Sequence, residues 1–326
     1  MGAATVTLSE ITELLSNWHD SIRELDHEQS THLFGEIKNK IDKIEENQNV
    51  LLYYSLLEFR HNMLNKDYEG SKKSLEKIED FNKPSEELLN YYYNFFKAIH
   101  NTEIGEYKKA GEYFDKAKQL IANIPDEIEK AEFYYKAAAF YYQVRQPLEA
   151  VKYANRALKF FEPETGYELN IAACNNILGL TCTSLKQYEY AEEYFIKALD
   201  IVTKKHNTML GLKIRHNLGF LYAEQDLSEA AIRNLTTAID TPEKSYKAIF
   251  LIARENYKLG NTEESESIIT EGIEYFEQQG LLGFVHDYSK QLALKFYSSN
   301  QQDKANQYFF KSHEAEEKLR KKEALK

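Results

Sequence analysis

Few side chains here have the type and spacing that chemistry needs. Three histidines, His19, His27 and His32, fall within "HDSIRELDHEQSTH". Metal sites hold imidazoles at fixed helical or loop spacings, and these three read instead as polar helix faces and a turn. Cys174 and Cys182 lie eight residues apart on one expected helix, about 12 Å along its axis, too far for a disulfide. They read as reduced core thiols, not nucleophiles. The sequence holds no phosphate-binding glycine loop with its lysine, no HExxH, no CxxC and no dinucleotide fingerprint. The many carboxylates read as solvated helix faces. One neutral amide remains. Gln48 stands where a polar turn meets an apolar helix in "EENQNVLLYYSLLEFRH", Glu45 to His61. Spacing alone makes it a helix start.

The elements that would position such groups follow from composition and period. The chain has 326 residues, enough for two or three domains or one domain plus a repeat array. It carries 24 Tyr and 18 Phe against 1 Trp, and only 13 Gly and 5 Pro. So few turn residues argue against a sandwich or barrel. The net charge of −11 disfavours general phosphate-backbone binding, so no direct nucleic-acid contact is expected. The basic run "KLRKKEALK" reads as a solvated helix end. The start lacks the charged and apolar regions of a signal peptide, and no apolar run reaches membrane-spanning length. A cytoplasmic protein without membrane contact is expected.

From Ala98 onward the sequence repeats. "NILGLTCTSLKQYEYAEEYFIKAL" carries Leu178-Gly179, Ala191, Phe195 and Ala198. "NLGFLYAEQDLSEAAIRNLTTAI" carries Leu218-Gly219, Tyr222, Ala231, Leu235 and Ala238 at matching offsets. The small residues let two antiparallel helices approach, and the large ones fill the space between turns. This is the tetratricopeptide pattern. Ala98, Ala138, Gly179, Gly219, Ala253 and Ala293 mark six units, spaced 40, 41, 40, 34 and 40 residues apart. The unit containing Ser265, Ile269 and Gly272 matches least well. One helix pair cannot bury its apolar faces alone, so the pairs must stack.

Ahead of the repeats, residues 8–65 read as three helices. Ile11, Leu14, Leu15, Trp18 and Ile22 share a face of the first; Leu33, Ile37, Ile41 and Ile44 share a face of the second. "NVLLYYSLLEFRHNML" is apolar on most sides and should be central. The expected fold class is all-α: a three-helix bundle (1–65), a linker (66–85) and a right-handed tetratricopeptide superhelix (86–326). In such repeats the first helix of each pair lines the concave face. Its expected lining includes Tyr142, Ser184, Asn217, Phe220, Phe250 and Arg254. Aromatic, amide and basic groups together suit an extended peptide.

"EENQNVLLYYSLLEFRHNML" resembles the signature of the Rap family, peptide-controlled regulators of response regulators in spore-forming Gram-positive bacteria. "NYYYNFFKAIH", "DEIEKAEFYYKAAAFYYQVRQ" and "LKQYEYAEEYFIKAL" resemble its linker and repeats. The resemblance spans nearly the whole chain. It implies two partners: a response regulator protein, and a short signalling peptide, Phr, that binds the repeats and switches the protein off. It implies docking of the regulator through Glu46, Asn47, Leu51 and Phe59. In phosphatase members a Gln at the place of Gln48 enters the regulator's active site. Attack of water on an aspartyl phosphate is catalysed mainly by positioning and charge stabilisation. An amide can accept from that water and donate to phosphoryl oxygens. No cofactor is expected in this chain, since Mg would come with the regulator.

Three departures qualify the resemblance. The family's usual Asp is Asn47 here, which removes one charge beside Gln48. Asn217 matches the family residue that holds the peptide backbone, but its usual Asp partner is Ser184. One repeat fewer is counted, lost between Gly272 and Phe284. The reading is a cytosolic quorum-sensing regulator that binds and blocks a response regulator and is controlled by a peptide. Aspartyl-phosphate hydrolysis through Gln48 is the first alternative. A peptide-sensing scaffold or transcription regulator is the second.

Overall fold

The computed structural model describes residues 7–41, 47–65, 67–81, 86–239, 246–260, 262–278 and 280–324. Among these residues every regular element is an α-helix. The first four are α1 (Leu8–Arg23), α2 (His27–Ile41), α3 (Gln48–Leu64) and α4 (Tyr68–Asp80). Six pairs follow: α5 (Glu87–Glu103) with α6 (Tyr107–Ile121), α7 (Glu127–Gln143) with α8 (Pro147–Phe161), and α9 (Glu168–Ser184) with α10 (Tyr188–Lys204). Then come α11 (Thr208–Glu224) with α12 (Ser228–Thr237), α13 (Tyr246–Lys258) with α14 (Thr262–Gln278), and α15 (Leu282–Ser298) with α16 (Gln302–Ala324). The chain divides into two compact units, Met1–Lys205 and His206–Lys326.

Local sequence explains where these helices start. Thr7 accepts from the Glu10 amide while the Glu10 carboxylate accepts from the Thr7 amide, a reciprocal cap for α1. Asn47, Asp67 and Asp126 cap α3, α4 and α7 in the same spirit, each side-chain oxygen accepting from a first-turn amide. The bundle core forms around Trp18, which stacks on Phe34 at 5.4 Å and donates Nε1–H to Ser30 Oγ at 3.2 Å. Helix α3 buries residues on most of its circumference, as its unbroken apolar sequence requires.

The stretch read as a linker contains α4. This helix is polar, and its few inward groups face α3. Ser74 Oγ donates to Glu58 Oε2 at 3.2 Å, and Ile78 is buried.

The six small marker residues all fall on the first helix of a pair. Seven residues after each comes a left-handed residue: Gly105, Arg145, Lys186, Asp226, Gly260 and Asn300, all at positive φ. In the five turns whose next residue is described, that residue's amide closes a wide hydrogen bond back to the helix, such as Gln187 N to Cys182 O at 2.8 Å. Only two of these residues are Gly, so four turns hold a side chain in a conformation that L residues resist. Within the pairs, Gly179 and Gly219 sit where two helices approach closely. A Cβ at Gly179 would lie 2.6 Å from the Phe195 ring, and one at Gly219 would lie 2.6 Å from Leu235. Each unit has its own core. Phe95, Phe133 and Phe161 belong to that of the first, and Phe276, Leu292 and Phe296 to one in the second.

Candidate functional site

The start of α3 places the residues of the bundle motif. Asn47 accepts from the amides of Asn49 (3.2 Å) and Val50 (3.3 Å), which leaves Gln48 as the first helical residue, with its side chain exposed. The first turn carries no acidic side chain of its own, and the Asn49 side chain there donates to the Glu86 carboxylate. Leu51 is half-buried against the bundle core. Glu46 lies outside the described residues.

Phe59 departs from expectation. It is 0 % exposed, packs in the core shared by α3 and the first repeats, and meets His100 edge-on at 5.6 Å. It supports the α3 face from behind and offers a partner no surface. The reason is its position. α3 is central, and a residue eleven places after Gln48 points at α5 rather than outward.

Below this face lies a cluster that composition did not reveal. The Arg23 guanidinium donates to Asp126 at 2.6 Å and to Glu129 at 3.4 Å, and pairs with Asp20. Arg60 pairs with Glu132 and stacks on the Phe96 ring at 5.0 Å. Tyr91 donates to Glu129 at 2.9 Å, and the Tyr53 hydroxyl meets His19 at 3.0 Å. Asn170 of α9 donates to the Arg23 carbonyl at 3.0 Å. Burial, with Arg23 and Arg60 nearby, holds His19 well below the usual imidazole range. Its 3.8 Å approach to Glu129 is therefore a contact of a neutral ring, not an ion pair. Burial and the adjacent Glu132 push Glu129 up to about 8. His19, Glu129 and Glu132 could each offer a ligand atom within 4.8 Å of the others. Arg60 instead pairs with Glu132, and Arg23 and Tyr91 both donate to Glu129. This cluster ties α1 and α3 to α7. His19, read above as part of a polar face, and Glu129 and Glu132, read as solvated, are all buried. Only the odd density of charge in "DEIEKAEF", within a helix that must pack, hinted at it.

The expected peptide-binding residues divide between the two units. In the first, Tyr142 is half-buried and Ser184 is exposed, with Ser184 Oγ donating to Thr181 O at 2.7 Å. In the second, Asn217 is buried with Oδ1 3.4 Å from His216 Nδ1, and Phe220 packs against the cluster of Ala223, Ala231, Leu235 and Leu251. Arg254 is buried and donates Nε–H to Glu255 at 2.7 Å. The Phe250 side chain lies outside the described set. Cys174 and Cys182 are buried free thiols, and burial pushes both upward, away from thiolate chemistry. Among the described residues no helix is long and apolar enough to cross a membrane.

A helical bundle ahead of tetratricopeptide repeats defines the class, and comparison with known proteins narrows it. The family described as response regulator aspartate phosphatase H, N terminal, matches residues 5–66, and a tetratricopeptide repeat matches 172–201. Regulatory protein RapG of Bacillus subtilis (strain 168) is 32% identical over 264 residues, covering 79% of this chain and 72% of that protein. Response regulator aspartate phosphatase I of the same organism is 27% identical, covering 97% and 93%. A crystal structure of a Rap protein complexed with Competence and Sporulation Factor superposes with a TM-score of 0.78 at 21% identity, covering 96% and 99%. The chain belongs to the Rap family. Its fold class is the all-α arrangement expected from the repeat period.

Proposed function

We propose that this protein is a cytoplasmic, peptide-controlled regulator that binds a response regulator through the α3 face and blocks its output. The observation that carries the reading is the start of α3: an exposed Gln48 on a capped helix end, beside half-buried Leu51, inside the segment matched to the response-regulator phosphatase family. An exposed amide at a positive helix end suits the phosphorylated, acidic active site of such a partner. A short peptide binds the first-helix faces of the repeats. The buried cluster joining α1 and α3 to α7 is where that signal reaches the bundle. A peptide can act at a distance only by preferring one of two arrangements, and charged pairs that must re-form favour discrete ones.

Hydrolysis is the second reading, favoured by the same Gln48. Its amide orients water toward the aspartyl phosphorus. The phosphorus–oxygen bond to the aspartate breaks, releasing inorganic phosphate and the carboxylate. The partner supplies both aspartate and Mg. Decay of a phosphorylated response regulator, followed with wild type and Gln48→Ala, separates the readings. Binding without accelerated decay supports blocking. Decay accelerated by wild type and lost in Gln48→Ala supports hydrolysis. Neither binding nor decay sinks both.

A further inference from the structure

Within the second unit, α13, α14 and α15 enclose a cavity of about 310 Å³. Its floor is apolar, formed by Ile269, Tyr288 and Leu292, and its rim carries Arg254, Lys258 and Lys295. Exposed side chains, Lys258 and Leu294 among them, leave the mouth open to solvent. That size stands at the lower end of ligand sites, enough for one end of a peptide or a small acid.

Arg254 sets the chemistry. It is only 8 % exposed, and its Nη2 has no hydrogen-bond partner. The neighbouring carboxylate is already committed. Glu255 Oε1 accepts from Arg254 Nε at 2.7 Å and faces Lys258 Nζ at 3.3 Å, while Oε2 accepts from Ser228 Oγ at 2.6 Å. Glu224 stands 4.0 Å from Nη1, beyond hydrogen-bond reach. A buried guanidinium N–H without an acceptor is rare in folded proteins. Here the residue that carries it lines a space that opens to solvent. A planar guanidinium fork suits a carboxylate, and the apolar floor suits an aliphatic group attached to it.

We infer that this cavity binds a carboxylate carrying an apolar group of residue size, with the Arg254 guanidinium donating to the carboxylate and Ile269 and Leu292 covering the apolar part. Its source is the C-terminus of a peptide or a free organic acid. The peptide source deepens the peptide control proposed above and rests on it. The specificity is sharp because the amide of the same group would leave the guanidinium unmatched.

The test is titration calorimetry on the full chain with three probes: N-acetyl-leucyl-leucine, its C-terminal amide, and 4-methylpentanoate. The acid should bind about tenfold or more tighter than the amide. Tighter binding of the acetylated dipeptide than of 4-methylpentanoate assigns a peptide end. The reverse order assigns a free acid. Arg254→Met should abolish the preference for acid over amide, with folding checked by circular dichroism because the variant loses the Glu255 pair. Leu294→Trp, at an exposed position on the mouth, keeps every charged partner and should weaken both acids about tenfold or more by filling the cavity. Equal binding of acid and amide, or unchanged binding in Leu294→Trp, overturns the assignment. Neither result touches regulator binding, which is read in its own assay.

Discussion

Arg60 on α3 and Glu132 on α7 form an ion pair in which both side chains are almost wholly buried, across 72 residues of sequence. The pair fastens the bundle's central helix to the second repeat. Removing one partner leaves the other charge buried and unmatched, so Arg60→Met or Glu132→Leu should each cost about 3–5 kcal/mol. The double variant should be markedly less destabilised than the sum of the two, because no orphan charge remains. Urea unfolding of the two single variants and the double checks this, and strict additivity would contradict it.

The same junction predicts a pH dependence. Glu129 titrates near 8 in the folded protein and near 4.5 when unfolded. Between those values the folded state keeps a proton that the unfolded state has lost. Stability contributed by Glu129 is therefore present below pH 4.5 and disappears as pH rises through about 8. His19 acts with the opposite sign. Its depressed value adds stability above 6.5 that is lost as pH falls. Glu129→Gln removes the first contribution only. The stability of wild type relative to Glu129→Gln should fall between pH 5 and pH 8.5 in denaturant titrations at matched ionic strength.

Glycine to alanine inside a helix ordinarily stabilises by about 1 kcal/mol. Gly35 on α2 has open space where its Cβ would go and should follow that rule. Gly179 should reverse it, because the new methyl meets three atoms of the Phe195 ring at 2.6–2.8 Å. A loss of about 1–3 kcal/mol is expected from overpacking. Thermal melts of the two variants, made side by side, should move in opposite directions.

Asn47 matters to α3 as a cap before it matters to any partner. Asn47→Ala should cost about 1 kcal/mol, whereas Asn47→Asp should keep stability within a few tenths. Calorimetric melts measure both. The exposed Gln48→Ala should leave the melt unchanged, so an effect of Gln48→Ala on partner phosphorylation would report chemistry rather than folding.

The repeats were legible because close helix approach demands small residues at fixed offsets. Gly179 and Gly219 announced themselves, and the turn seven residues after each marker kept the same phase. Helix α4 was not legible. Its sequence "YEGSKKSLEKIED" has few apolar residues, and what it buries against α3 is largely hydroxyl groups and Ile78. The junction was hidden for a different reason. Arg23 and Glu129 stand 106 residues apart. Charged residues on helices are solvated by default, and only the packing of α1 on the α7 start makes these buried. Phe59 shows the limit of motif matching: the residue type agreed with a docking position, but its direction on α3 did not.

Docking of a response regulator on the α3 face, and its release by a repeat-bound peptide, can be measured together. The direct measurement is biolayer interferometry with purified response regulators of the source cell, immobilised one at a time. Wild type, Leu51→Asp and Gln48→Ala are compared, each with and without the cell's short exported peptides. Saturable binding to at least one regulator is expected, weakened about tenfold or more by Leu51→Asp and reversed by one peptide. Binding that survives Leu51→Asp and Gln48→Ala unchanged, or a chain that binds none of the regulators, would contradict it.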